Sequence, residues 1–332
     1  MKLFIVIFIF LSLINQGMAE KQKYKIATGP LEATDIHGQM CKDIVKFVSK
    51  DANLDLEILV TKGSKDNIER LRYEDDIRFA IVQSDIIEYF EYMAKYGDDE
   101  AKDIIKKLRV VKPLYPEEFI FIARKDDNIN FIHEIQNKKI NVGPPDGELS
   151  LSVKQIYREM FGHDIAPNKS FSYSFDDALR ALDDKVLDVI VFVESHPMER
   201  LDFIKEANSV IKVLSYDDSI KKASSYYKAV IPKNIYKWVD HDIFTLGVGV
   251  YLVTYMHKHD KVEVEEHLMN FGEALCRNMD TLKSSGHQNW NLVDRDLEPL
   301  VDGWKYHKSS TFGYKKVCSP CTKNKRILKL CK

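Results

Sequence analysis

The chain has 332 residues, 45% hydrophobic and 30% charged, an ordinary globular composition with room for about two domains. Its formal net charge of −2 excludes the strongly basic surface that nucleic acid or an anionic membrane would select. Lysines and acids alternate along most of the chain, as on a solvated face.

Lys2 precedes an almost unbroken apolar run from Leu3 to Ile14, followed by small residues at Gly17 and Ala19. This is the layout of a secretory signal peptide, residues 1–19, cleaved near Ala19 to release an exported, periplasmic protein. An uncleaved anchor is the competing reading, although the run is shorter than the roughly 20 residues of a membrane span. Tyr24 to Ala27 then reads as a strand ended by Thr28-Gly29-Pro30, and His37 to Ser49 as a helix with Met40, Ile44, Val45 and Val48 at helical spacing. The stretch from Leu54 to Asp85 repeats this arrangement. A strand (Leu54 to Val60) leads to the turn Gly63-Ser64, a helix from Lys65 to Tyr73, and a buried strand (Phe79 to Val82) ending in Gln83-Ser84-Asp85. Ser64, Asp66 and Asn67 are capping residue types. Strand, polar turn and helix in this order predict a parallel α/β sheet, whose ligands lie at the carboxyl ends of the strands near helix N-termini.

Ile86 to Tyr96 reads as a helix, Leu108 to Leu114 as a strand, and Tyr115-Pro116-Glu117-Glu118 as a turn. Phe119 to Ala123 is apolar, and the charged run Arg124 to Asp127 reads as the surface of a crossover. A second α/β set follows. It comprises a short helix (Phe131 to Gln136), a strand (Ile140 to Val142), the rigid turn Gly143 to Gly147, and helices Leu149 to Phe161 and Phe175 to Asp183. Strand Val186 to Val193 ends in Glu194-Ser195-His196-Pro197, with helix Met198 to Ala207 and strand Val210 to Leu214 behind it. Tyr226 to Pro232 is the expected return crossover, Phe244 to Thr254 a further strand, and Val262 to Asp280 a packing helix. After Pro299 the chain reads as irregular and basic.

The expected architecture is therefore two α/β lobes joined by two crossovers, the first lobe from 20–123 and 229–300, the second from 124–228, with a Cys-containing tail at 301–332. The polar turns of both would face a shared cleft for a small molecule. Thr28, Gly29, Asp35, His37, Ser64, Asn67, Gln83, Ser84, Asp85 and Tyr115 are the candidate ligand-binding residues of the first lobe. Gly143, Asp146, Gly147, Glu194 and Ser195 are those of the second. Of the five cysteines, Cys318, Cys321 and Cys331 lie in the tail and Cys41 and Cys276 stand alone. In an oxidising compartment the tail cysteines are expected to pair in a structural disulfide clip on the basic tail, with its connectivity open.

Taken together, Ala27-Thr28-Gly29, Gly63-Ser64 with Asn67-Ile68, Ala80 to Asp85, Leu114-Tyr115-Pro116-Glu117, Val142-Gly143, Gln155-Ile156, and Ile231-Pro232 with Tyr236 resemble the TAXI family of extracytoplasmic solute receptors. The resemblance covers about residues 24–295. It implies a type II periplasmic-binding fold, a cleft for a small solute such as an amino acid or dicarboxylate, and hand-over to a TRAP-type membrane permease. Two loops depart from the family pattern. Glu32 to Gly38 is one residue short and lacks the family's tyrosine, and Asp146-Gly147-Glu148-Leu149 stands where the family typically has Gly-Ser-Gly-Thr. Glu32, Asp35, Asp146 and Glu148 would make the cleft mouth acidic, and two unit charges 4 Å apart repel by about 4 kcal/mol at an effective dielectric of 20. Unless Lys62, Lys65 or Arg124 compensates, the expected solute is amino-bearing or cationic, or solute binding has been lost and the protein signals or scaffolds with a membrane partner.

No phosphate-binding loop or dinucleotide fingerprint is present, so no cofactor is expected. His257 and His259, two apart, do not share a helix face and make a poor metal site. Glu194, Ser195 and His196 are neighbours in sequence, whereas a catalytic triad is assembled from distant segments. The chain is expected not to be an enzyme.

Overall fold

The computed structural model describes residues 21–29, 31, 35–145, 147–197, 201, 210–217 and 226–318. The first lobe is built around parallel strands β1 (Gln22–Thr28), β2 (Leu54–Val60) and β3 (Ile77–Gln83). Every residue of β3 is buried, as expected of a strand covered on both faces. Helix α1 (Ile36–Asp43) continues into a π-helical turn (Ile44–Val48) between β1 and β2, and α2 (Ser64–Tyr73) joins β2 to β3. Helices α3 (Ile86–Lys95) and α4 (Asp99–Lys107) follow. The second of these went unread in the sequence. It is charged on one face and buries only Ala101 and Ile104, and Asp98 caps it by accepting from the amides of Glu100 and Ala101.

Strand β4 (Leu108–Arg124) has 17 residues and runs through both lobes, so the turn expected at Tyr115–Glu118 is continuous strand. Pro116, which suggested a turn, pairs with Gly249, and Pro113 with Tyr251, across a register shift where a missing amide hydrogen is tolerated. The second lobe adds β5 (Ile140–Asn141), α5 (Glu148–Phe161), β6 (Ser170–Phe171), α6 (Phe175–Asp183), β7 (Val189–Glu194) and β8 (Ile211–Val213). The chain returns through β9 (Tyr227–Ile231) and β10 (Ile243–Tyr255), the latter antiparallel to both β3 and β4. The helix expected over Met198 to Ala207 lies almost wholly outside the described residues. Strand order is β2-β1-β3-β10-β4-β7-β5-β6, with β8 on β4 and β9 on β10.

The apolar core divides in the same way. Two clusters line the faces of the first-lobe sheet and two those of the second. Membership changes between Tyr115 and Phe119 on the way out and between Val248 and Val250 on the way back. Residues 119–123 and the buried apolar residues of 231–248 belong to the second-lobe clusters, in segments expected from the sequence in the first lobe. The crossings are made by the middles of β4 and β10, and an uninterrupted strand carries no compositional break to mark them. Arg124 is not at a surface crossover either. It is buried at the end of β4, donating to the carbonyls of Leu182 and Leu187 at 2.9 and 2.7 Å.

The region expected to be an irregular tail is part of the first lobe as far as Cys318. Trp304 Nε1 donates to the Ser84 carbonyl at 2.9 Å, and Val110 bridges to Tyr306. Helix α7 (Val262–Arg277), followed by α8 (Met279–Ser285), packs directly on α9 (Lys308–Cys318). A Cβ on Gly272 would come within 2.1 Å of the Ser310 carbonyl, and one on Gly313 within 2.1 Å of the Met269 carbonyl, so the two backbones touch. A disulfide between Cys276 and Cys318 closes this pair, while Cys41 is buried and free. Cys321 and Cys331 lie outside the described residues.

Candidate functional site: an acidic cleft between the lobes

The carboxyl ends of β1 and β3 and the N-termini of α1 and α2 meet the N-terminus of α5 across the lobe junction. The Asp35 side chain accepts from the Gly38 amide at 2.6 Å, which starts α1 and sets His37 in its first turn. His37 is 6% exposed and lies between carboxylates from two directions. Its Nε2 is 3.0 Å from Glu117 Oε1, and its Nδ1 is 3.5 Å from Glu148 Oε2. Burial works against a charge on the ring, but Glu117 and then Glu148 outweigh it and hold the imidazolium up to about 10. With both ring nitrogens protonated, His37 can donate to one carboxylate on each side.

Glu117 sits at mid-length on β4, where the strand passes between the lobes. Its second oxygen accepts from Gln83 Nε2 at 2.5 Å, and Gln83 Oε1 accepts from Ser152 Oγ of α5 at 2.9 Å. Ser64 Oγ accepts from the Gln83 amide at 2.9 Å and donates to Glu148. The two lobes are thus tied by Ser64–Glu148, His37–Glu148 and Gln83–Ser152. Farther along α5, Arg158 stacks 4.0 Å over the Tyr92 ring of α3. A cavity of about 520 Å³ opens beside this network, lined on the first lobe by Asp35, His37, Lys62 and Gln83 and on the second by Gly147, Glu148 and Glu194. Glu117 also lines it, so among the described lining residues carboxylates outnumber cations by four (Asp35, Glu117, Glu148, Glu194) to two (His37, Lys62).

Asp35, His37, Gln83, Gly147 and Glu194, all anticipated from the sequence, are brought together on this cavity, with Ser64 bonded to its Glu148. Others are not among the lining residues and make contacts within the fold. Asn67 donates to the Ile81 carbonyl at 2.8 Å and accepts from Thr61 Oγ1, locking α2 to β3. Ser84 Oγ accepts from the Gly249 amide at 3.0 Å, joining β3 to β10. Thr28 presents its carbonyl to Thr61, and Gly29 lies beside Asp35. Tyr115 is buried in the first-lobe core with its ring edge to His37, not at a strand end. Gly143 has φ +75° and carries Leu149 so close that a Cβ would fall 2.8 Å from it. Ser195 donates to the Pro116 carbonyl. Asp146 lies outside the described residues. Of the compensating cations considered, Lys65 pairs with Glu69 on the flank of α2, and Arg124 is in the second-lobe core. Glu117 and Ser152 were missed as site residues. Glu117 could have been found, because it ends the Leu-Tyr-Pro-Glu element that carries the resemblance.

Asp85, also anticipated, is buried behind the cavity and accepts from Tyr226 Oη of the second lobe at 3.3 Å. Burial first, with Glu148 and Glu117 adding, raises its carboxyl from 3.8 to about 7 against the hydrogen bonds from Ser152 and Tyr226. The folded state therefore keeps a proton that the unfolded chain releases near pH 4, and this site loses stability as pH rises from about 4 to about 7. Asp85→Asn is expected to remove that loss. Its advantage should be small at pH 4, grow to on the order of 1–3 kcal/mol by pH 8, and then stay flat. Urea unfolding across this range checks it, and an advantage that does not vary with pH would refute it.

Two α/β lobes traversed twice by long strands, with a polar cleft at the junction, define the type II periplasmic-binding fold. The family model described as the NMT1-like family matches residues 26–267, and the chain belongs to that family. Among solved structures it is similar to the arginine-, lysine-, histidine-binding protein ArtJ from Geobacillus stearothermophilus (14% identity, 92% of this chain and 100% of that one, TM-score 0.45). It is also similar to the periplasmic VFT2 domain of Bordetella pertussis BvgS (12%, 82% and 92%, TM-score 0.43). A third similar structure is a binding protein component of an ABC phosphonate transporter from Pseudomonas aeruginosa (15%, 80% and 80%, TM-score 0.43). Among the described residues no helix is long and apolar enough to cross a membrane.

Proposed function

We propose that this protein is an exported receptor that captures a small amino-bearing or cationic solute between its lobes and passes it to a membrane permease. The observation that carries this reading is the interlobe cavity of about 520 Å³ with its excess of carboxylates. Its volume suits a metabolite. Asp35 and Glu194 present acidic groups from opposite lobes, and a bound amine would draw the lobes together by offsetting their repulsion. Export is supported by the apolar leader at Leu3 to Ile14 and by the Cys276–Cys318 disulfide, which persists in an oxidising compartment. The motif resemblance to TAXI receptors supports a TRAP-type permease as the receiving partner.

A second reading, a receptor-like module that signals without a solute, is favoured by the contacts of Glu148 with Ser64 and His37, which join the lobes through the chain's own side chains. A thermal-shift screen of diamines, basic amino acids, neutral amino acids and dicarboxylates separates the two. A ligand at a hundred times its Kd adds about 2.7 kcal/mol of stability. Selective stabilisation by the amines is expected. Stabilisation by dicarboxylates alone would refute the cationic solute, and no response to any compound would favour the signalling module.

A further inference from the structure

We propose that Glu148 is a built-in carboxylate that occupies the anion-receiving corner of the cleft, closing lobe on lobe and reserving the remaining space for a solute with a cationic group and no competing acid. The inference rests on the receptor reading above and specifies which residue sets the charge class of the solute.

The corner is formed entirely by the first lobe. Ser64, at the start of α2, donates its hydroxyl to Glu148, and His37 brings a charged ring nitrogen to 3.5 Å from the other carboxylate oxygen. Both are polar hydrogen donors held by other bonds, Ser64 by the Gln83 amide and His37 by Glu117. They are thus organised for a carboxylate before one arrives. Gly63 completes the fit. It has φ +123°, and a Cβ there would lie 3.1 Å from the Glu148 Cβ, so the glycine leaves the space through which the glutamate reaches the corner. Glu148 itself comes from the second lobe, at the first position of α5, and its side chain remains 22% exposed. It lies at the edge of the cavity, not in the core, where a solute could meet it. Asp35 and Glu194 lie on the same cavity, and they are what an incoming solute finds beside the filled corner. A solute carboxylate would have to displace Glu148 from both donors and then face the displaced charge. An amine meets neither obstacle.

The test uses the mature chain and its Glu148→Ala and Glu148→Gln variants, with glutarate as the dicarboxylate probe and butane-1,4-diamine as the cationic probe, followed by calorimetry. The variants' far-UV circular dichroism and melting are recorded first, and Glu148→Gln, which keeps the side-chain shape, stands in if the alanine variant does not fold. Small-angle scattering of the solute-free proteins provides a readout that needs no ligand. Glutarate is expected to bind Glu148→Ala at least about tenfold more tightly than the unmodified chain, a difference of about 1.4 kcal/mol. The radius of gyration of that variant is expected to rise as the lobes part. If the folded variants gain no affinity for glutarate while the diamine binds all forms alike, the role assigned to Glu148 is overturned and the receptor reading stands. If neither probe binds any form but Glu148→Ala expands, Glu148 closes the lobes as stated and the receptor reading fails. An unchanged radius with no binding overturns both.

Discussion

Replacing His37 with leucine is expected to destabilise the protein by about 3–5 kcal/mol near neutral pH, the typical cost of removing one partner from a buried charge pair. His37 is the cation on which Glu117 and Glu148 converge, from the strand between the lobes and from the second lobe. Leucine fills similar volume, so the loss would report charge and not a cavity. The pH dependence identifies it. The imidazolium is held up to about 10 in the folded protein against an ordinary 6.5. Its stabilisation is therefore complete below about pH 6.5 and disappears as pH rises through about 10. Denaturant unfolding at pH 6, 8 and 10 would give a difference that is largest at pH 6 and shrinks towards pH 10. A loss of equal size at every pH would show that His37 acts by packing alone.

Cutting the Cys276–Cys318 disulfide by changing both residues to serine is the second large effect. The bond spans 42 residues, and chain entropy assigns such a cross-link about 4 kcal/mol. The helices it joins are already in backbone contact through Gly272 and Gly313, so the native state accommodates it between elements that pack together in any case. Once it is cut, α9 is retained by non-covalent contacts alone, among them the packing on α7, Lys316 Nζ with Glu273 Oε1 at 2.6 Å and Tyr314 Oη with the Arg295 carbonyl at 2.7 Å. The melting temperature should fall by several degrees or more, and any solute affinity should be preserved, because no residue of α7 or α9 lines the interlobe cavity. A change under about 1 kcal/mol would mean that the helix pair holds without its cross-link and that the entropy argument fails here.

Much of the first lobe was legible because its signals are local. Alternation of short apolar runs with glycine turns and capping residues specified β1, α1, β2, α2 and β3 to within a few residues, and their order specified a parallel sheet. The second-lobe helices at 148–161 and 175–183 were legible for the same reason. Where the reading failed, the deciding contact was distant in the chain. Pro116 looks like a turn residue until β10 supplies a partner strand with a register shift beside it. The basic segment after Pro299 looks unstructured until Gly272, some forty residues before Gly313, lets the backbone of α9 approach.

The same division holds for the cleft. From the sequence alone came the residues at the strand ends, an acidic bias in two loops, and the expectation of a small-molecule site between two lobes. Which of those residues join the network beside the cavity and which tie other parts of the fold was not legible, because Asn67, Ser84 and Ser195 have the same chemistry as Ser64 and Gln83 and differ only in what lies opposite them. Only tertiary structure set His37 between Glu117 and Glu148, 80 and 111 positions further along the chain. A lone histidine has an ordinary affinity for protons. It is held as a cation when folding brings two carboxylates close enough to outweigh the loss of its water, and no local pattern encodes that encounter.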